Sequence, residues 1–125
     1  MKRAFTCGIC SALAFVLVGC VDQDGLSVQP MASYLDGSYN LQQESCGKSG
    51  SETVLTINGR DFRFYESQCR AVSVENKDGV VDATLSCRGE GESFTRQVRL
   101  SEVVGAIHLE ESGLMRHYFR CNQTG

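Results

Sequence analysis

The feature that most constrains this chain is a set of tight-turn dipeptides between segments of alternating polarity. Asn58-Gly59, Asp78-Gly79 and Ser112-Gly113 each sit between runs in which apolar and polar side chains alternate. That alternation has the period of a strand with one buried face. Asn-Gly and Asp-Gly suit two-residue type I′ turns, because both central residues need φ > 0. A turn at Asn58-Gly59 sets Leu55 opposite Phe62 and Thr53 opposite Phe64. It gathers Leu55, Ile57, Phe62 and Phe64 on one face. A turn at Asp78-Gly79 sets Val74 opposite Ala83 and Val72 opposite Leu85, again with matching faces. A slip of one residue would break both matches. In the last hairpin, a two-residue Ser112-Gly113 turn would set Leu109 opposite Arg116. A three-residue Glu111-Ser112-Gly113 loop sets Leu109 opposite Met115 and Ile107 opposite His117, with Gly113 in the left-handed position. The three-residue loop is therefore expected.

Strands are expected at roughly 37–43, 52–57, 60–67, 70–76, 80–87, 93–100, 105–110 and 114–121. Short strands at this spacing predict an all-β fold, a small antiparallel meander β-barrel of about eight strands. Closure would remove the exposed edges of an open sheet. The alternative is an open β-sandwich. Gly37-Ser38-Tyr39 is similar to the Gly-x-Trp that opens lipocalin-like barrels, with Tyr for Trp.

The amino terminus follows another logic. Lys2 and Arg3 precede a run from Ala4 to Gly19 with no charge. That run is shorter than the roughly 20 residues of a membrane span and suits the apolar core of a secretory signal. Its end, Leu17-Val18-Gly19-Cys20, resembles the lipobox of bacterial lipoproteins. The resemblance covers residues 1–20. It implies cleavage after Gly19, with a diacylglycerol thioether and a fatty acyl chain of the palmitate type on Cys20. Several acyl chains anchor firmly where one binds only marginally. In the enterobacterial members an Asp after the cysteine retains the protein in the inner membrane. Val21 stands there, so the resemblance implies a lipid anchor in the outer membrane, facing the periplasm.

The chain thus divides into a signal peptide at 1–19, a lipidated Cys20 with a tether to 36, and a β-barrel domain at 37–125. The tether contains Gly25, Ser27 and Pro30 and shows no sustained period. The leader also accounts for Cys7, Cys10 and Cys20, three of the seven cysteines. Cys46, Cys69, Cys87 and Cys121 remain, an even set that suggests two disulfides in an oxidising compartment. Extending the first hairpin brings Cys69 within a diagonal step of Cys46, which favours Cys46–Cys69 and leaves Cys87–Cys121. Cys87 also falls near Arg70, so Cys69–Cys87 stays open.

Three polar residues interrupt apolar faces: Glu66 after Phe62 and Phe64, Arg96 between Phe94 and Val98, and His117 between Met115 and Phe119. In a closed barrel all three are expected inside, as part of a ligand cavity or as a structural ion pair, because a buried charge needs a partner. The outward set includes Arg63, Tyr65, Arg116, Tyr118 and Arg120. Arg and Tyr are enriched at interface hot spots, so these five form a candidate partner face.

Signs of catalysis are lacking. There is no Gly-x-Ser-x-Gly turn and no Cys-x-x-Cys after the leader. His108 and His117 are expected on opposite faces, which disfavours a histidine-based metal site. Gly89-Glu90-Gly91-Glu92 lacks the Lys of a phosphate loop and reads as a turn. Without Lys2 and Arg3, ten basic side chains face fifteen acidic ones. An acidic domain without a basic stripe is a poor nucleic-acid binder. The expectation is a non-enzymatic binding or inhibitory module, without cofactor or metal, held to the membrane by its lipid and meeting an envelope protein. In architecture it resembles envelope inhibitors of c-type lysozyme and of secreted proteases. Those lysozyme inhibitors carry Ser-Gly-x-x-Tyr, whereas this chain reads Ser49-Gly50-Ser51-Glu52-Thr53, so no inhibitory residue carries over. The alternatives are a small-ligand carrier and a structural envelope lipoprotein.

Overall fold

Eight antiparallel strands, each hydrogen-bonded to the next, wind into a closed barrel in a computed structural model that describes residues 29–121. The expected signal peptide, lipidated Cys20 and the part of the expected tether before Gln29 lie outside the described residues. The strands are β1 (Gly37–Asn40), β2 (Val54–Asn58), β3 (Asp61–Phe64), β4 (Gln68–Lys77), β5 (Val80–Gly89), β6 (Glu92–Val103), β7 (Ala106–Glu111) and β8 (Leu114–Arg120). β8 returns to pair with β1, so the sheet closes and does not split into a sandwich. Among the described residues, helix is confined to 3-10 turns at Ser33–Leu35 and Gln43–Ser45.

The meander gives the barrel two distinct ends. The chain enters at one end through residues 31–36, beside the turns at 59–60, 78–79 and 104–105. The far end carries the turns at 65–67, 90–91 and 112–113. Three turns have positive φ at both central residues, as type I′ requires: Asp78-Gly79, Glu90-Gly91 and Ser112-Gly113. Gly89 is needed for a different reason. A Cβ there would collide with the carbonyl oxygen of Glu66, where the 65–67 loop crosses the end of β5.

The first hairpin turns one residue later than expected. Asn58 pairs with Asp61, and the turn is Gly59-Arg60, with positive φ at Gly59. Leu55 therefore faces Phe64, and Ile57 faces Phe62. The register moves by two residues, an even number, so every apolar side chain keeps its face.

The second hairpin begins as expected, with Val74 opposite Ala83. A β-bulge at Val72 then changes the register, and Ala71, not Val72, faces Leu85. Val72 is turned out to solvent. The extra residue also brings Cys69 directly opposite Cys87, and these two form one disulfide. Cys46–Cys121 is the other. The favoured Cys46–Cys69 and Cys87–Cys121 pairing is thus corrected, for a geometric reason. Cys69 and Cys87 project into the core, while Cys46 belongs to the 41–53 loop, which lies over the outer face of β1. The barrel wall separates the two sets.

That loop is fastened twice. The amide of the buried Asn40 donates to Ser51 Oγ at 2.9 Å, and its oxygen accepts from the Gln42 N–H and the Thr53 hydroxyl. The Cys46–Cys121 bond then ties the loop to the end of β8. It sits beside the shortest seam of the barrel, where β1 and β8 pair only through Tyr39–Arg120 and Asn40–Phe119.

The interior is filled with side chains. Leu35, Tyr39, Leu55, Leu85, Leu100 and Leu109 are all at 0% exposure. Small barrels are commonly filled in this way. Leu35 and the Tyr39 ring stop the entry end, where the Tyr39 hydroxyl donates to the Leu35 carbonyl at 2.7 Å. Arg120 lies against that ring and donates to the carbonyls of Tyr34 and Asp36 at 2.8 and 3.1 Å.

Candidate functional site

The last hairpin decides which side chains reach the surface. Its turn is the two-residue Ser112-Gly113, with Glu111 opposite Leu114 and Leu109 opposite Arg116. The expected three-residue loop is not formed. One residue of difference inverts β8, so every side chain on it changes face. Tyr118 is buried, Arg116 and Arg120 are half-buried, and all three project inward. They are therefore not part of an outer partner face. His117 points outward and is not an interior group. The alternation misled because Arg and Tyr bury their stems and rings while keeping their polar tips near water.

At the far end these inward residues meet Arg96. Its guanidinium grips Glu111 with two hydrogen bonds, Nε to Oε2 at 3.0 Å and Nη2 to Oε1 at 2.6 Å. Its flat face lies on the Phe64 ring, 4.0 Å from the centroid. Arg116 approaches the same carboxylate at 3.9 Å. The hydrogen bonds from Arg96 hold the Glu111 carboxyl below the usual carboxylate range, against the opposing effect of burial. Burial raises the Tyr118 hydroxyl above its ordinary value, with Arg116 and Arg96 pulling the other way. Arg96 thus gives two of its five N–H donors to Glu111 and its face to Phe64. The cluster pairs the inward charges at this end of the barrel with one another.

Glu66 lies outside this cluster. It belongs to the 65–67 loop and is exposed, so it is a rim residue and not an interior group. Its carboxyl is raised above the ordinary value, first by a hydrogen bond with Glu90 and then by the charge of Glu90. Glu90 belongs to the 90–91 turn, which follows Gly89 where the 65–67 loop crosses. Arg63 and Tyr65, the remaining members of the expected partner face, line a shallow hollow of about 350 Å³ with Glu66, Gln68 and Arg88. Tyr65, Phe94 and Leu114 are exposed at 47%, 40% and 54%, three large side chains at one end of the molecule. Sequence reasoning missed Phe94 and Leu114 as surface groups because alternation assigned Phe94 to the core.

Elsewhere, a polar groove of about 710 Å³ runs across the outer face of β4, β5 and β6. It contains the Asp82–Arg99 ion pair at 2.8 Å. His108 and His117, expected on opposite faces, stand side by side outside the barrel, with His108 Nε2 3.0 Å from His117 Nδ1. Among the described residues no group of three or more His, Cys, Asp or Glu is placed to hold a metal ion. In comparisons with known proteins, no family model, no curated protein and no solved structure matches this chain.

Proposed function

We propose that this chain is a non-catalytic binding module of the bacterial envelope, anchored by lipid at Cys20 and working through the far rim of its barrel. The observation that carries the reading is the group of exposed Tyr65, Phe94 and Leu114 at one rim, with the exposed acidic Glu66 and Glu90 on two loops that meet there. A cation placed near these two carboxylates favours their charged form. Exposed aromatic side chains next to such a site supply contact area at low entropic cost. A basic protein fits both features.

Two further observations support it. The interior is occupied by side chains, which disfavours the small-ligand carrier. Gln29 and Pro30 bind Asn76 beside the 78–79 turn, so a tether from a lipidated Cys20 arrives at the entry end. The rim would then face away from an outer-membrane anchor, into the periplasm. The lysozyme and protease inhibitors that the chain resembles in architecture make a c-type lysozyme, which is strongly basic, the first partner to test.

The test is a pull-down from envelope extract with the lipidated chain, the Cys20→Ser form and a Tyr65→Ala, Phe94→Ala double variant, with a c-type lysozyme added in a parallel set. A partner recovered by the first two and lost with the third is the expected result. Recovery that ignores the rim substitutions, or no partner with any form, would overturn the reading.

A further inference from the structure

We propose that His108 and His117 form a two-imidazole binding site for a divalent transition metal ion, with Cu2+ the preferred member of the class. The two residues are directly opposed on β7 and β8, and both side chains leave the barrel on its outer face. His108 Nε2 and His117 Nδ1 are 3.0 Å apart. In the metal-free pair one ring donates its proton to the lone pair of the other. An ion binds beside that line when the donating ring moves its proton to its other nitrogen and the two rings turn to aim their lone pairs at it. Both facing nitrogens then present lone pairs.

The spacing suits a metal. With metal–nitrogen bonds of roughly 2.05 Å, a separation near 3.0 Å gives an angle at the ion of about 94°. A tetrahedral ion would need the nitrogens roughly 3.3 Å apart. The near-right angle matches the tetragonal geometry of Cu2+ and Ni2+, and Cu2+ stands highest in the affinity order for nitrogen ligands.

The site is also braced and open. The two-residue turn at Ser112-Gly113 fixes the register that opposes the rings. The Phe119 ring meets the His117 ring edge-on at 4.7 Å. His117 is exposed and His108 half-buried, so an ion reaches them from solvent. No third ligand of the His, Cys, Asp or Glu type stands close among the described residues, which leaves the other coordination positions to water. Ser101 on β6 and the outward pair Glu110–Met115 flank the rings.

The experiment is a titration of the full chain with copper sulfate in a non-coordinating buffer, read by calorimetry and by electron paramagnetic resonance. It is run beside His108→Ala, His117→Ala and His117→Asn. These positions lie on the outer face, and thiol counting verifies that both disulfides persist. The wild-type chain is expected to bind one more equivalent than any variant, with a spectrum showing two coupled nitrogens. Each substitution is expected to weaken that equivalent by at least the roughly tenfold that loss of even an outer partner costs. Equal stoichiometry and an unchanged spectrum in the variants would overturn the proposal, as would failure of the wild-type chain to bind.

Discussion

The two ends of the barrel use polar side chains in opposite ways. At the entry end, Arg120 and Tyr39 direct their donors at backbone carbonyls of residues 34–36. Those bonds tie the incoming chain to the barrel and leave little to offer a partner. At the far end, Arg96 binds a side chain, Glu111, and the rim exposes Tyr65 on its loop and Phe94 and Leu114 near the starts of β6 and β8, with the acidic Glu66 and Glu90 on the turns. One end is a stopper and the other a surface. The difference shows how a closed sheet can spend the polar groups of one rim on its own chain and leave large side chains exposed at the other.

The largest expected effect is at the stopper. Tyr39→Ala removes a ring at 0% exposure together with its hydrogen bond to Leu35, and by analogy with buried aromatic truncations it costs about 3–5 kcal/mol in urea unfolding. Tyr39→Phe keeps the ring and removes only the hydroxyl, for a loss of about 1 kcal/mol. Similar losses from the two variants would mean that the ring does not stop the barrel.

Removal of the disulfides ranks next. The Cys46–Cys121 bond spans 75 residues and Cys69–Cys87 spans 18. Loop-closure entropy makes the longer link worth about 1 kcal/mol more. A Cys46→Ala, Cys121→Ala chain is expected to unfold at lower urea than a Cys69→Ala, Cys87→Ala chain, since it also frees the short β1–β8 seam. The reverse order would place the barrel's weak point elsewhere.

At the far end, Glu111→Gln is expected to cost about 2 kcal/mol at pH 7, as it weakens a charged hydrogen-bond pair. The sign follows from linkage. The Glu111 carboxyl lies lower in the folded chain than in the unfolded one, so its stabilisation is complete above the unfolded value. It is lost as pH falls through the folded value. Urea midpoints of wild type and variant should therefore converge in acid. The smallest effect is at the rim. Glu66 is raised by Glu90, so Glu66→Gln removes repulsion and should slightly raise the unfolding midpoint at neutral pH, with the gain vanishing in acid. A loss of stability instead would mean that the rim pair is structural.

Much of the barrel could be read from turn chemistry and alternation. All eight strands, the Asp78-Gly79 turn and the turn within 89–92 appear where those signals put them. Three details escaped, each for a physical reason. The Gly59-Arg60 turn moved the register by two, which alternation cannot detect. The bulge at Val72 has no local signature, because Ala71 and Val72 are both apolar and either could face the core. On β8 the apolar Leu114 and Met115 are exposed at 54% each, while the inward positions hold Arg116, Tyr118 and Arg120. The amphipathic side chains reversed the pattern, and the opposed histidines were lost with it. Ser112-Gly113 was the signal that could have corrected this. Glu111 was missed for the same reason, since it was assigned to a loop and not to the end of a strand facing Arg96.

The proposed partner meets the far rim and not the entry end. A photo-crosslinking residue placed at Leu114 on the rim, or at the fully exposed Val104 on the entry-end turn, tests it in intact cells. The account predicts a protein adduct from Leu114 and none from Val104. An adduct from Val104 with none from Leu114, or no adduct from either, would contradict it.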